Sequence, residues 1–220
     1  MPRAKLRTPE LRDRVLHVAI GVLATGGVEG FTARTVAHEA ETSTPAVYEL
    51  FGDKGGLLRE VFFEGFRRLR RRFEPLIETD DPRRDLVAVV EAFRGFVREN
   101  PVLAEVMFSR PFADFDPGPD ERAAGSSVRE FIVGRVRRGI DAGVLVGDET
   151  DIAHVLLALA QGLSLQENAG WLGTSKASMD RRWALALRVV LDGLAPAPAE
   201  QPPVPVVVGA PTPGRGTRRR

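Results

Sequence analysis

Apolar residues recur at helical spacing along almost the whole chain up to residue 194, and this periodicity limits the fold more than any other feature. In the first segment the apolar positions fall on one face of a helix: Leu11, Val15, Val18, Ala19, Val22 and Leu23. Strict alternation of apolar and polar residues, the mark of a half-buried strand, is absent from the sequence. The sequence therefore predicts an all-α fold.

Start and stop signals divide this pattern into about nine helices. Thr8-Pro9-Glu10 offers a capping hydroxyl, a proline in the first turn and an acid near the positive end of a helix. Gly26-Gly27 predicts the end of that helix. Thr32 and Ser43 can each cap a short helix, and a long helix follows Gly52-Asp53-Lys54. Five further helices fit residues 83–99, 101–109, 121–143, 149–169 and 177–194.

The composition excludes several classes of protein and of functional site. The chain has 220 residues, a net charge of +1 and no cysteine. A disulfide framework, a thiol nucleophile and a cysteine-based zinc site are therefore excluded, and any affinity for nucleic acid must be local. The histidines His17, His38 and His154 stand apart from other ligand types, so we expect no metal and no cofactor. Because no apolar run suits a signal peptide or a membrane span, we expect a cytoplasmic protein without membrane contact.

Two of the short helices, Thr32–Ala40 and Thr44–Leu50, are separated by a tight turn and form a candidate helix-turn-helix. The second helix begins with small residues, which would allow its N-terminal end to enter a major groove: Thr44, Pro45 and Ala46. Tyr48 carries a hydroxyl on a rigid ring, and Lys54 opens the next helix. Both suit contacts with phosphate oxygens.

The register of this region resembles the DNA-binding domain of TetR-family transcriptional repressors. The matching residues are Gly30-Phe31-Thr32, Val36-Ala37, Ser43, Val47-Tyr48, Phe51 and Lys54. The resemblance implies DNA binding through Thr32, Arg34, Ser43, Thr44, Pro45, Ala46, Tyr48 and Lys54. It also implies a DNA-binding domain at 9–69, with the motif at about 32–51, and a helical ligand-binding and dimerisation domain at 70–194. The proline-rich residues 195–220 are predicted to be a disordered tail.

The chain departs from the family pattern at three positions. Glu41 stands where a turn glycine is usual, Leu50 replaces a common histidine, and Glu49 places an acid on the helix expected to face phosphate. Acidic and basic residues balance over the first 60 positions. Only the N-terminal arm carries an uncompensated basic cluster, formed by Arg3, Lys5 and Arg7.

Two segments near the end of the chain are unusually apolar. Residues 152–166 contain no Asp, Glu, Lys or Arg, and within 183–191 only Arg188 is charged. A helix that is apolar nearly all round must be buried on more than one side. We therefore expect a four-helix interface in a homodimer, with contacts from Leu156, Leu159, Leu163, Trp183, Leu187 and Val190. A central helix inside a monomer remains the alternative.

The middle of the chain is rich in aromatic residues. Most of them should be ordinary core, and the remainder could line a largely apolar cavity. The resemblance implies a small apolar effector there, and the candidate pocket residues are Phe93, Phe96, Met107, Phe108, Phe112, Gln166 and Trp171.

The resemblance implies a ligand-responsive repressor that binds a pseudo-palindromic double-stranded operator as a homodimer, without an enzymatic step. An enzyme is the first alternative, but Ser126-Ser127, Asp148 and Glu149 lie in no recognised catalytic motif. A protein-binding scaffold is the second alternative, although it would not require the register of Tyr48 and Lys54. The arginine-rich run at 67–73 is interpreted as a solvated helix end rather than a nucleic-acid patch.

Overall fold

The computed structural model describes residues 8–108 and 119–197, and within these ranges the chain forms nine α-helices and no strand. The all-α prediction is confirmed. The helices are α1 (Pro9–Gly30), α2 (Ala33–Glu39), α3 (Thr44–Phe51), α4 (Lys54–Phe73), α5 (Pro82–Glu99), α6 (Pro101–Phe108), α7 (Pro119–Asp141), α8 (Glu149–Asn168) and α9 (Lys176–Gly193). The basic arm, Phe112 and most of the predicted tail lie outside the described residues.

The predicted helix starts are borne out by their side-chain caps. Thr32 Oγ1 accepts from the backbone N–H of Thr35 at 3.0 Å, and Ser43 Oγ accepts from Ala46 N–H at 3.3 Å. The break predicted at Gly26-Gly27 is present. Gly27 has a φ of 60° and a ψ of −164°, which is non-helical backbone, and this kink separates the long first part of α1 from a short helical stretch that ends at Gly30. Glycine tolerates this backbone conformation because it has no Cβ.

Helix α4 connects the two halves of the chain. It begins at Lys54 beside α3 and runs without a break to Phe73, so it continues through the predicted domain boundary at residue 69. Its C-terminal half packs against α5, α6 and α7.

The arginine-rich end of α4 is engaged with other parts of the protein. Glu64 Oε2 accepts from Arg67 at 2.8 Å, and its Oε1 accepts from Arg68 and Arg71, each at 2.9 Å. Arg72 pairs with Glu99 on α5. The run was predicted to be a solvated helix end, whereas four of its arginines are paired with carboxylates of α4 and α5.

The second half of the chain has its core between α4, α5, α7, α8 and α9. The most deeply buried side chains there include Phe73, Leu69, Leu86, Leu156 and Trp183. No helix in the described ranges is long and apolar enough to span a membrane.

Candidate nucleic-acid interface and ligand cavity

Helix α3 is amphipathic, with one buried face and one exposed face. Val47 and Phe51 are buried against the neighbouring helices, whereas Tyr48 is 47% exposed. The first turn of α3 presents the small residues Thr44, Pro45 and Ala46 at the surface. The helix therefore offers a close approach at its N-terminal end and a phenolic hydroxyl one turn later.

The turn between α2 and α3 is made without glycine. Glu41 has a φ of 51°, which lies in the left-handed region that side chains with a Cβ adopt at a cost. The backbone N–H of Thr42 then donates to the carbonyl of Ala37 at 2.9 Å, which closes the turn. The substitution of glycine by Glu41 therefore keeps the backbone geometry of the turn and introduces strain.

Lys54 lies at the first position of α4, next to α3. Its ammonium is 5.9 Å from the centre of the Phe31 ring, and the side chain remains exposed. The preceding residue, Asp53, caps α4 by accepting from Gly56 N–H at 2.7 Å. Every predicted DNA-binding residue is exposed or half-buried: Thr32, Arg34, Ser43, Thr44, Pro45, Ala46, Tyr48 and Lys54.

Arg12 on α1 holds α3 in place, and it was not among the residues predicted from the sequence. Its Nη1 donates to the carbonyl of Leu50 at 2.8 Å, and its Nη2 lies 2.9 Å from Glu60. The guanidinium also stacks 4.7 Å from the centre of the Phe51 ring. A cation at the negative end of α3 is stabilising. Arg12 therefore braces α3 against α1 and α4, although the only signal for it in the sequence was its charge on a helix expected to be amphipathic.

A cavity of about 610 Å³ lies between α5, α6 and α8. Its lining residues are Phe93, Val97, Pro101, Val102, Ala104, Glu105, Phe108, Ala158, Gln161, Gly162, Ser164, Leu165, Asn168 and Ala169. Phe93 and Phe108 therefore line it as predicted.

The remaining predictions for pocket residues need correction. Phe96 and Met107 are buried in the core and do not line this cavity, while the side chains of Gln166 and Trp171 are exposed away from it. Phe112 lies outside the described residues. Sequence composition identified aromatic residues but not the face of the helix on which each one lies.

A buried ion pair joins α5 to α8 and α9. Arg94 Nε and Nη2 donate to the two oxygens of Glu167 at 2.8 and 3.0 Å, and Nη1 lies 2.9 Å from Asp180. Burial alone would raise the pKa of Glu167, but the hydrogen bonds from Arg94 and Trp183 outweigh it and hold that pKa below its ordinary value. The carboxylate therefore stays charged and fully engaged.

Two family models match the chain. The model for bacterial regulatory proteins of the tetR family matches residues 15–61, and the model for the tetracyclin repressor-like C-terminal domain matches residues 86–190. The chain belongs to the TetR family of transcriptional regulators. The predicted resemblance is confirmed, and the helix-turn-helix belongs to the matched N-terminal region.

Individual relatives of this TetR-family chain are distant. An HTH-type transcriptional regulator from Mycobacterium tuberculosis is 24% identical over 144 residues, which cover 63% of this chain and 59% of that protein. The chain thus spans less than two thirds of that relative. A protein of unknown function from Rhodococcus sp. RHA1 is 26% identical, with a TM-score of 0.74 over 88% of this chain and all of that one. A TetR variant from Acinetobacter baumannii in complex with minocycline is 19% identical, with a TM-score of 0.57 and coverage of 81% and 93%.

This TetR-family chain exposes an apolar face on α8 and α9. Val155, Leu185 and Val189 are 50%, 53% and 61% exposed. Of the predicted interface residues, Leu159, Leu163 and Val190 are half-buried on these helices. Leu156, Trp183 and Leu187 are buried within the single chain, so the prediction that they contact a partner is corrected.

Proposed function

We propose that this TetR-family regulator is a homodimeric repressor that binds a pseudo-palindromic operator and releases it when a small molecule occupies the cavity. The observation that carries the proposal is the geometry of α3. Small residues form its first turn, and the two phosphate-binding candidates, Tyr48 on α3 and Lys54 at the start of α4, are both exposed. A recognition helix that enters the major groove requires this arrangement.

A second copy of the chain is the proposed partner of the apolar face. In the single chain, large apolar side chains are exposed to water on two helices: Val155 on α8, and Leu185 and Val189 on α9. Large exposed apolar patches mark interaction surfaces. Two such faces packed about a two-fold axis would form a four-helix interface and place two copies of α3 on one duplex.

The cavity is the proposed effector site, and α6 is the proposed link to the DNA. Helix α6 lines the cavity and packs against α4. The contact is close, since a Cβ added at Gly65 on α4 would lie 2.5 Å from the Sδ of Met107 on α6. An effector that shifts α6 would therefore move α4, and with it Lys54. The minocycline complex of the structural neighbour supports this use of the fold.

Selection from a pool of random duplexes tests DNA binding directly. We expect the purified full-length protein to enrich an inverted repeat, with half-sites about one helical turn apart. Tyr48→Phe together with Lys54→Ala should bind every duplex more weakly, and should therefore recover far less DNA in each round than the wild-type protein. Recovery of no sequence motif by the wild-type protein, or of an equal amount of DNA by the double variant, would refute the proposed interface.

Sedimentation tests the dimer. The wild-type protein should sediment as a dimer at micromolar concentration, and Val189→Glu should sediment as a monomer because it places an unpaired carboxylate in a dry interface. The control is Ile77→Glu, at a more exposed apolar residue in the link between α4 and α5. A monomeric wild-type protein, or dimers of both variants, would contradict the assignment of this face.

A further inference from the structure

The cavity wall combines an apolar surface with a short row of neutral polar groups. Gln161, Ser164 and Asn168 lie on one side of α8 at a spacing of three and four residues, and each lines the cavity. Phe93, Val97 and Phe108 are among the apolar residues that form the opposite walls. Such a wall suits a mainly apolar ligand, and the polar row fixes its orientation.

Ser164 is the most informative member of this row. The residue is only 4% exposed, and its Oγ has no hydrogen-bond partner among the described residues. Serine inside a helix commonly donates to the carbonyl four residues earlier, but Ser164 does not make this bond. A buried hydroxyl without a partner is costly. Because Ser164 lines the cavity, a ligand there can supply the missing partner once the hydroxyl turns toward it.

The charges around the cavity select against an anion. Glu105 is the only charged side chain among the described residues that line it. The buried cation Arg94, next to the lining residue Phe93 in the sequence, is occupied by Glu167 and Asp180. Among its described residues, this wall therefore offers an anionic head group no guanidinium or ammonium partner.

A cationic head group gains little from the same wall. The row on α8 consists of one hydroxyl and two amides, which satisfy a neutral group without a charge partner. Glu105 is exposed to solvent, where a single ion pair contributes little. The buried hydroxyl, rather than the exposed carboxylate, should then determine which ligand binds.

We infer that the effector is an uncharged, mainly apolar molecule whose single hydroxyl or carbonyl group hydrogen-bonds to the Ser164 hydroxyl. The inference rests on the proposed role of the cavity as the effector site and adds the chemical class of the ligand. It also makes Ser164 the residue that distinguishes an alcohol or ketone from a hydrocarbon of the same length.

Calorimetric titration of the full-length protein with probes of one chain length tests this inference. The probes are 1-octanol, octanoate and octylammonium. We expect 1-octanol to bind most tightly, and Ser164→Ala to weaken its binding about three- to tenfold, the effect of one hydrogen bond. The control is Ser127→Ala, an exposed serine on α7 that lies outside this cavity and should leave the affinity unchanged.

A second measurement separates a ligand contact from a structural role. Without any probe, Ser164→Ala should melt a few degrees higher than the wild-type protein, because it removes a buried hydroxyl that lacks a partner. A structural serine would instead lower the melting temperature. Tighter binding of octanoate or octylammonium, or equal affinity of Ser164→Ala for 1-octanol, would overturn the inference.

These results are distinguishable from a failure of the proposed function. If 1-octanol binds through Ser164 but never releases DNA, the ligand chemistry stands and the regulatory proposal fails. If the protein selects an operator and a charged probe binds best, the regulator stands and the inference about an uncharged ligand fails.

Discussion

The indole N–H of Trp183 on α9 donates to Oε2 of Glu167 on α8 at 2.7 Å, and Arg94 on α5 holds the same carboxylate. The Arg94 guanidinium also stacks 5.0 Å from the Trp183 ring. One carboxylate thus joins three helices at the side of the cavity. Because every polar group in this cluster has a partner, the charges are tolerated in a buried position.

Glu167→Gln should destabilise the protein by about 3 kcal/mol, because it leaves the buried Arg94 without its main counter-charge. Urea unfolding monitored by circular dichroism gives the free energy of unfolding. The matched control is Glu91→Gln, since Glu91 lies 3.9 Å from the same arginine but is half exposed. We expect the control to change stability by less than about 1 kcal/mol. Equal effects of the two substitutions would contradict the importance of the buried pair.

Asp85 should make stability depend on acidic pH. Burial tends to raise its pKa, but hydrogen bonds from Thr79 and Arg138 outweigh burial and lower the pKa below 3.8. Since the folded pKa is the lower one, its stabilising contribution is complete well above about pH 4, the unfolded pKa, and is lost as pH falls through the folded pKa. The stability difference between wild-type protein and Asp85→Asn should therefore shrink as pH falls from 7 to 3.

Urea unfolding at each pH measures this difference. Asp80→Asn serves as the control, because Asp80 is an exposed aspartate in the link that precedes α5, five residues before Asp85. Its effect should be small at every pH. A difference for Asp85→Asn that grows on acidification would show that the sign of the linkage is wrong.

Glu41→Gly should stabilise the turn of the helix-turn-helix. The φ of 51° at Glu41 is strained for a residue with a Cβ, so glycine should raise the free energy of unfolding by up to about 1 kcal/mol. Glu39→Gly, at the last residue of α2, provides the opposite control and should destabilise by up to about 1 kcal/mol. Thermal unfolding distinguishes the two. A loss of stability in Glu41→Gly would mean that contacts of the glutamate side chain exceed the strain.

Lys54→Ala and Tyr48→Phe should weaken binding to all duplexes alike, since contacts with phosphate position a protein without reading bases. Lys54→Ala should also reduce the slope of log affinity against log salt by about one. Fluorescence anisotropy over a salt series measures both effects. Lys176→Ala, on the distant α9, is the matched control. An unchanged slope for Lys54→Ala would remove this residue from the phosphate contacts.

Thymine methyl groups should contribute to operator recognition. The exposed turn of α3 presents Thr44, Pro45 and Ala46 and no Arg, Asn or Gln, the side chains that usually read guanine and adenine. Replacing thymine by uracil in the half-sites removes only the methyl groups and should weaken binding. The affinity should be measured for both operators under one salt condition. Equal affinities would exclude methyl recognition, leaving DNA shape as the source of specificity.

Local chemistry made much of this fold predictable. Helical periodicity and caps such as Thr32 and Ser43 act over a few residues, so the positions of nine helices could be predicted before any tertiary contact was known. The helix-turn-helix followed for the same reason, because its small residues and its buried positions lie within one short segment.

The cavity and the exposed apolar face depended on contacts between distant segments. The sequence of α8 is apolar on almost every side, so it contains no local signal to distinguish Leu156, which is buried, from Val155, which is exposed. Trp183 was likewise predicted at a dimer interface, but Glu167 and the core enclose it within one chain.

By itself, the sequence determined the helices, their caps and the family register of α2 and α3, because each of these depends on neighbours a few residues away. Only the tertiary structure decided which face of α8 lines the cavity, and that Ser164 lies there without a partner. The physical reason is that burial of a side chain depends on the helices that pack around it. In this chain those helices come from positions far apart in the sequence.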